Sequence, residues 1–189
     1  MCDIEYWNNF YSTNKLVNSP SDFCMFILNY FKDETNLKIL DAGCGNGRDA
    51  FYLSKTHNVV GCDLSLKSLQ DTERCKFLKE NFCSIDKSMF DLIYSRFTFH
   101  SITNEDHEIF LKSIKNPGSY FCIEARSDKD IKCKRVHGDT HYRNLINIDY
   151  LKQILKDNNF DILFIKESDN CSIYKGENPI CLRVICKKI

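Results

Sequence analysis

Apolar positions recur along the chain in two rhythms, a helical one and short continuous runs. Phe23, Phe26, Ile27, Tyr30 and Phe31 share one helical face, which predicts a helix over 21–31. The run at 38–40 predicts a strand, closed by a glycine-bearing turn and followed by a helix over 49–55. A second strand, 58–62, ends on Asp63, and Ser65 is placed to cap a further helix. Residues 76–82 read as a weaker third strand and 90–95 as a strong fourth. A helix over 104–114, a turn at Pro117-Gly118 and a fifth strand over 120–124 follow. After a polar stretch, 125–144, come a helix over 149–157 and strands over 160–167 and 180–187.

Strands alternate with helices through the first five, which predicts an α/β architecture with a doubly wound, Rossmann-like sheet. The last two strands are joined without helical periodicity and read as an antiparallel hairpin. The expectation is therefore a seven-stranded, mostly parallel sheet with a C-terminal antiparallel hairpin. A ligand belongs at the carboxyl ends of its strands, where the strand order reverses.

The turn after the first strand reads Asp41-Ala42-Gly43-Cys44-Gly45-Asn46-Gly47-Arg48. A dinucleotide fold wants G-x-G-x-x-G, and here Arg48 stands where its third glycine would be. Asp41, before the first glycine, suits a ligand amino group and repels a pyrophosphate. Asp63, at the end of the second strand, can accept both hydroxyls of a ribose. An adenosine carrying a charged amino acid satisfies both carboxylates, whereas a dinucleotide satisfies one.

Composition narrows the partners. With 26 basic and 26 acidic residues the net charge is zero, so no broad electrostatic footprint for nucleic acid or membrane is expected. The first ten residues lack a basic start and an apolar core, and no apolar run reaches the roughly 20 residues of a membrane span. The 11 cysteines include no C-x-x-C pair, so they read as reduced, buried thiols rather than a metal site. A single cytoplasmic domain spanning 1–189, with no metal, is the expectation.

These segments resemble the class I S-adenosylmethionine-dependent methyltransferases. Residues 41–47 are similar to that family's first motif, Val60-Gly61-Cys62-Asp63 to its second, and Phe90-Asp91-Leu92-Ile93-Tyr94-Ser95 to its fourth strand. The likeness covers roughly 37–125, and the closing hairpin fits it. It implies S-adenosylmethionine as cofactor, with Gly43, Gly45 and Gly47 beside the methionyl part and Asp63 on the ribose. Asp41, Arg48, Leu64 and Ser95 complete that expected set. Near the adenine this chain offers Asn81 and Phe82 where an aspartate is commoner, with Asp86 as a rival. The segment Tyr6-Trp7-Asn8-Asn9-Phe10-Tyr11 is similar to one that folds over the cofactor in small members. Trp7 and Tyr11 are its candidates for cofactor contact, within a helical cap over 1–36.

The acceptor side rests on less. His100 follows the fourth strand, where the family keeps residues facing the methyl group. His141, oriented by Asp139, is a second candidate base. Five of the seven arginines (Arg48, Arg96, Arg126, Arg135, Arg143) lie just after strand ends or on the crossover, which points to a compact anionic substrate. Arg96, Arg126, Tyr142 and Arg143 are its expected contacts. Glu124-Ala125-Arg126-Ser127, His141-Tyr142-Arg143 and Glu177-Asn178-Pro179 are similar to a small subgroup associated with capsule and surface-glycan synthesis. O-methylation of a nucleotide sugar or glycan precursor is therefore expected. Another small metabolite, a toxic anion, RNA or a catalytically silent partner role are the competing readings.

Overall fold

The computed structural model describes residues 4–13, 17–65, 69–130, 141–174 and 176–189. Its seven strands are β1 (Lys38–Ala42), β2 (Asn58–Cys62), β3 (Cys75–Leu78), β4 (Leu92–Arg96), β5 (Tyr120–Arg126), β6 (Phe160–Ser168) and β7 (Cys181–Lys188). They form one sheet in the order β3-β2-β1-β4-β5-β7-β6. Strands β1 to β5 pair in parallel, and β7 runs antiparallel between β5 and β6. The expected mostly parallel sheet with an antiparallel C-terminal hairpin is the architecture observed. β4 is buried over four of its five positions, which is why its sequence is a continuous apolar run rather than an alternation.

Helices cover both faces. On one, α2 (Asp22–Tyr30) and α3 (Arg48–Leu53) bury Phe23, Cys24, Ile27, Ala50 and Leu53 against Ile39, Val59 and Leu92. On the other, α4 (Asn104–Ser113) and α5 (Ile148–Asp157) bury Phe110, Leu111, Leu151 and Leu155 against Ile93, Phe121 and Val184. Ser21 caps α2, Thr103 and Asp106 form a capping box on α4, and Asn147 caps α5. The nine cysteines among the described residues are all free and buried, as small hydrophobes would be.

Three expectations change. Described residues 64–65 and 69–74, between β2 and β3, contain no helix, and Ser65 instead donates its amide to Asp63 at 2.8 Å. β3 stops at Leu78, because Asn81 caps a turn by accepting the Cys83 amide at 2.9 Å. A 3-10 turn at Phe99–Ser101, which no periodicity announced, follows β4. Ahead of the sheet lies α1 (Ile4–Thr13), which has no buried residue of its own. Among the described residues no helix is long and apolar enough to cross a membrane.

Because β2 and β4 flank β1, the chain leaves β1 and β4 toward opposite sides of the sheet. The glycine turn and the 3-10 turn therefore face each other across a crevice.

Candidate cofactor and acceptor site

Gly43, Gly45 and Gly47 all take positive φ, +81°, +55° and +74°. Two of them also have no room for a side chain. A Cβ on Gly43 would lie 2.0 Å from Thr98 Cγ2, and one on Gly45 would lie 2.3 Å from Tyr11 Oη. Thr98 is itself fixed, its hydroxyl donating to the Ala42 carbonyl at 2.9 Å. Asp63 ties the turn down from the β2 side, accepting the Gly45 amide at 3.0 Å and the Ser65 amide at 2.8 Å.

Carboxylates crowd this end of the crevice. Burial pushes the Asp41 carboxyl well above its usual range, and Asp49 and Asp63 push it further. Burial also raises Asp63, against the pull of its two amide donors. Asp49 anchors the segment before α2, accepting from the Ser21 amide and hydroxyl at 2.7 Å each and from the Tyr94 hydroxyl at 2.8 Å. A ligand bringing positive charge relieves Asp41 and Asp63, and a pyrophosphate aggravates them.

Helix α1 closes the crevice with rings. Trp7, Phe10 and Tyr11 line it, and the chain's single tryptophan is thus a reporter of the site. Tyr6 stacks on His141 with centroids 4.2 Å apart, and Trp7 lies 5.2 Å from the same imidazole. Burial, then Asp63, Cys44 and Asp41, raise the Tyr11 phenol, which stays neutral.

The far end of the crevice is built from β4, β5 and the β6–β7 loop. Arg96 Nε donates to Glu124 Oε1 at 3.0 Å, and Arg183 Nε to Glu124 Oε2 at 2.6 Å. Arg96 also reaches the Ser172 hydroxyl at 2.9 Å. Arg126 pairs with Asp130 at 2.7 Å and with Glu177. Burial alone would lower the Arg126 pKa, but Glu177 and Asp130 outweigh it and the net is upward. Phe97 takes φ +58°, an outlier for an aromatic residue, held by its amide donating to the Glu124 carbonyl at 2.8 Å. Its ring carries the Arg96 guanidinium 4.5 Å from the centroid and meets His100 edge-on at 5.4 Å.

The cavity measures about 450 Å³, within the range of small-molecule sites. Of the expected cofactor residues, Trp7, Tyr11, Asp41, Gly43, Gly45, Arg48, Asp63 and Phe82 line it. Gly47, Leu64, Asn81 and Ser95 do not. Gly47 starts α3, Asn81 is spent on its turn, and Ser95 shares a 2.6 Å hydrogen bond with Thr98 behind the crevice. Asp86 caps Ser88 on the surface. His100, His141, Arg96, Arg126 and Arg143 line the acceptor end, while Tyr142 is 43% exposed and outside it. Asp139 and Arg135 lie outside the described residues. Asp49, Thr98 and Ser172 were not anticipated, since nothing local in the sequence ties them to the crevice.

Residues 39–116, from β1 to the turn before β5, match a family described as a methyltransferase domain. Over that segment the chain is similar to a methyltransferase domain. A methyltransferase of Schizosaccharomyces pombe, itself uncharacterized, is 32% identical over 89 residues, 41% of this chain and 61% of that relative. The match thus spans about 61% of the length of the curated relative. An S-adenosylmethionine-dependent methyltransferase structure from Anabaena variabilis superposes with TM-score 0.73 at 19% identity, covering 98% of this chain and 93% of that one. The 1,6-didemethyltoxoflavin-N1-methyltransferase of Burkholderia thailandensis, solved with its substrate and S-adenosylhomocysteine, gives 0.65 at 17%, covering 88% and 76%. At these identities the likeness is one of fold: the same seven-stranded, Rossmann-like α/β architecture.

Proposed function

We propose that this methyltransferase domain binds S-adenosylmethionine in the glycine-turn crevice and methylates a small molecule held at the β4–β5 end. The observation that carries the reading is the pair Asp41 and Asp63 flanking three positive-φ glycines at the strand-order reversal. When bound, this cofactor supplies an electrophilic methyl group on a positively charged sulfur. Asp63 keeps lone pairs for ribose hydroxyls beyond its two amides, and buried Asp41 answers an ammonium group. Phe82 presents an apolar ring for an adenine face. Aromatic rings from α1 suit a sulfonium, a cation–ring contact contributing about 0.5–2 kcal/mol. The enzyme's work at the other end is alignment, holding the acceptor atom in line with the methyl carbon at roughly 3–3.5 Å.

The nucleotide-sugar acceptor is a finer reading with thinner support. Arg48, 3.9 Å from Asp49, and Arg143 stand on the cavity wall, and their charge is what speaks for an anion. Arg96 and Arg126, however, are already answered by Glu124, Asp130 and Glu177, so their fork geometry is not available to a phosphate. Asp41, Asp49, Asp63 and Glu177 also line the cavity, which is therefore mixed in charge rather than cationic. A small acceptor of unspecified class is the reading these contacts support. Free buried thiols favour a reducing, cytoplasmic setting.

Trp7 fluorescence titrated with S-adenosylmethionine, S-adenosylhomocysteine and NAD tests the cofactor. Saturable quenching by the first two and none by NAD is expected. Asp63→Asn is expected to weaken S-adenosylmethionine by tenfold or more, the loss of a charge-assisted hydrogen bond of about 1.5–3 kcal/mol. Tighter binding of NAD refutes the reading.

A further inference from the structure

We propose that His100 is a neutral hydrogen-bond donor to the acceptor molecule through Nε2–H, and that this selects acceptors presenting a lone pair and no positive charge. The inference deepens the methyltransferase reading and rests on it for the identity of the ligand. Its geometry is independent of the cofactor.

His100 is 4% exposed yet lines the cavity. Its Nδ1 accepts the backbone N–H of Arg126 at 3.2 Å, a donor that β5 holds in place through its pairing with β7. A backbone amide cannot give up its proton, so Nδ1 must carry the lone pair, and the proton of the neutral ring sits on Nε2. Nε2 makes no hydrogen bond to any described residue. Phe97 packs edge-on against the ring, and the backbone of His100 is fixed by its carbonyl accepting the Asn144 amide at 2.7 Å. Charged and titratable groups facing it come from every neighbouring element: Arg96 on β4, Arg126 on β5, and His141 and Arg143 on the segment before α5. Burial first, then these cations, hold the imidazole well below its usual pKa.

A base at this position needs a lone pair aimed at the acceptor, and the only one is taken. His100 therefore neither gives nor takes a proton during transfer. It offers one N–H to an oxygen or nitrogen lone pair, as in a carbonyl or a ring nitrogen. A protonated amine has no lone pair to meet it and would set N–H against N–H. Proton removal from a hydroxyl acceptor falls to another group on the cavity wall, where His141 and the carboxylates of Asp41, Asp63 and Glu177 stand.

Long-range proton–nitrogen NMR on the full chain, labelled with 15N-histidine, tests the tautomer; the His100→Gln spectrum assigns the signal. The expected result is Nε2 protonated and Nδ1 pyridine-like from about pH 5.5 to 8.5, with no titration. An Nδ1–H tautomer, or a titration with a midpoint near the ordinary histidine value, overturns the proposal. Pyridin-2-one and methylammonium, added separately with S-adenosylhomocysteine present, test the class. A shift of the His100 Nε2 signal with pyridin-2-one alone is expected, and an equal or absent response to both overturns the selectivity. Failure of S-adenosylhomocysteine to quench Trp7 sinks the cofactor reading and leaves the tautomer result standing.

Discussion

Replacing Gly43 by alanine tests whether the crevice is as closely built as its geometry indicates. At φ +81° an alanine meets the left-handed penalty, about 1–2 kcal/mol. Its Cβ would also sit 2.0 Å from Thr98 Cγ2 and 2.9 Å from Thr98 Cβ. Thr98 cannot swing aside without losing its hydrogen bond to the Ala42 carbonyl and its 2.6 Å contact with Ser95. Overpacking of this kind costs about 1–3 kcal/mol. The two sum to roughly 2–5 kcal/mol, a fall in melting temperature of about 4–20 °C for a chain of this size. Thr98→Ser removes the methyl responsible for the 2.0 Å contact and keeps the hydroxyl. In that background Gly43→Ala should recover about 1–3 kcal/mol, a positive coupling readable in a double-mutant cycle by urea denaturation. The φ penalty should persist in both backgrounds. Strict additivity of the two substitutions would show that Thr98 is not what excludes a side chain at 43. Unchanged stability of Gly43→Ala would refute the tight-turn reading altogether.

The fully buried Lys87 donates Nζ to the Cys83 and Ile85 carbonyls at 3.3 and 3.2 Å, and burial pulls its pKa down to about 8. The native state then sheds this proton while the unfolded chain keeps it. The stability of wild type minus that of Lys87→Met should rise between about pH 8 and 10.5, by up to about 3 kcal/mol, and fall back as pH drops through 8. Taking the difference cancels the buried thiols that titrate in the same range, and a flat difference would refute the assignment. Because burial and two carboxylates hold Asp41 well above the usual carboxyl range, S-adenosylmethionine affinity should decline on acidification earlier than an ordinary aspartate would give. Isothermal titration across pH reads this, and Asp41→Asn should flatten the dependence. Tyr6→Ala removes the 4.2 Å stack on His141 that anchors α1, an aromatic pair contributing about 0.5–1.5 kcal/mol. Amide exchange over 4–13 should quicken by about 2- to 12-fold with the core unchanged. Equal protection in mutant and wild type would mean that α1 is held by something else.

Much of the donor end was legible because it is local. The glycine spacing, Asp41 before it and Asp63 at the next strand end occupy fixed places in a strand-turn-helix unit, and backbone rules alone bring them together. Among described residues 64–65 and 69–74 the helix expected after Ser65 is absent, although Ser65 is a good cap. A cap without a following apolar face does not make a helix, and residues 69–74 carry only one aliphatic side chain. The arginines misled for a different reason. They do lie at strand ends, but only one neutralising carboxylate, Asp130 beside Arg126, is local, and the others come from far along the chain. Glu124 lies opposite Arg183 in the β5–β7 register, and Glu177 reaches Arg126 from the β6–β7 loop.

By itself the sequence determined the fold class, the order of the strands and the placing of three glycines between Asp41 and Asp63, since each follows from periodicity or from neighbours a few residues apart. Tertiary structure alone decided which polar groups are left to act. Burial and long-range pairing consume Arg96 and Arg126. The Arg126 amide, delivered from β5, takes the lone pair that would have made His100 a base. Charge and hydrogen-bonding capacity are properties of a residue, but their availability depends on what the fold places against them.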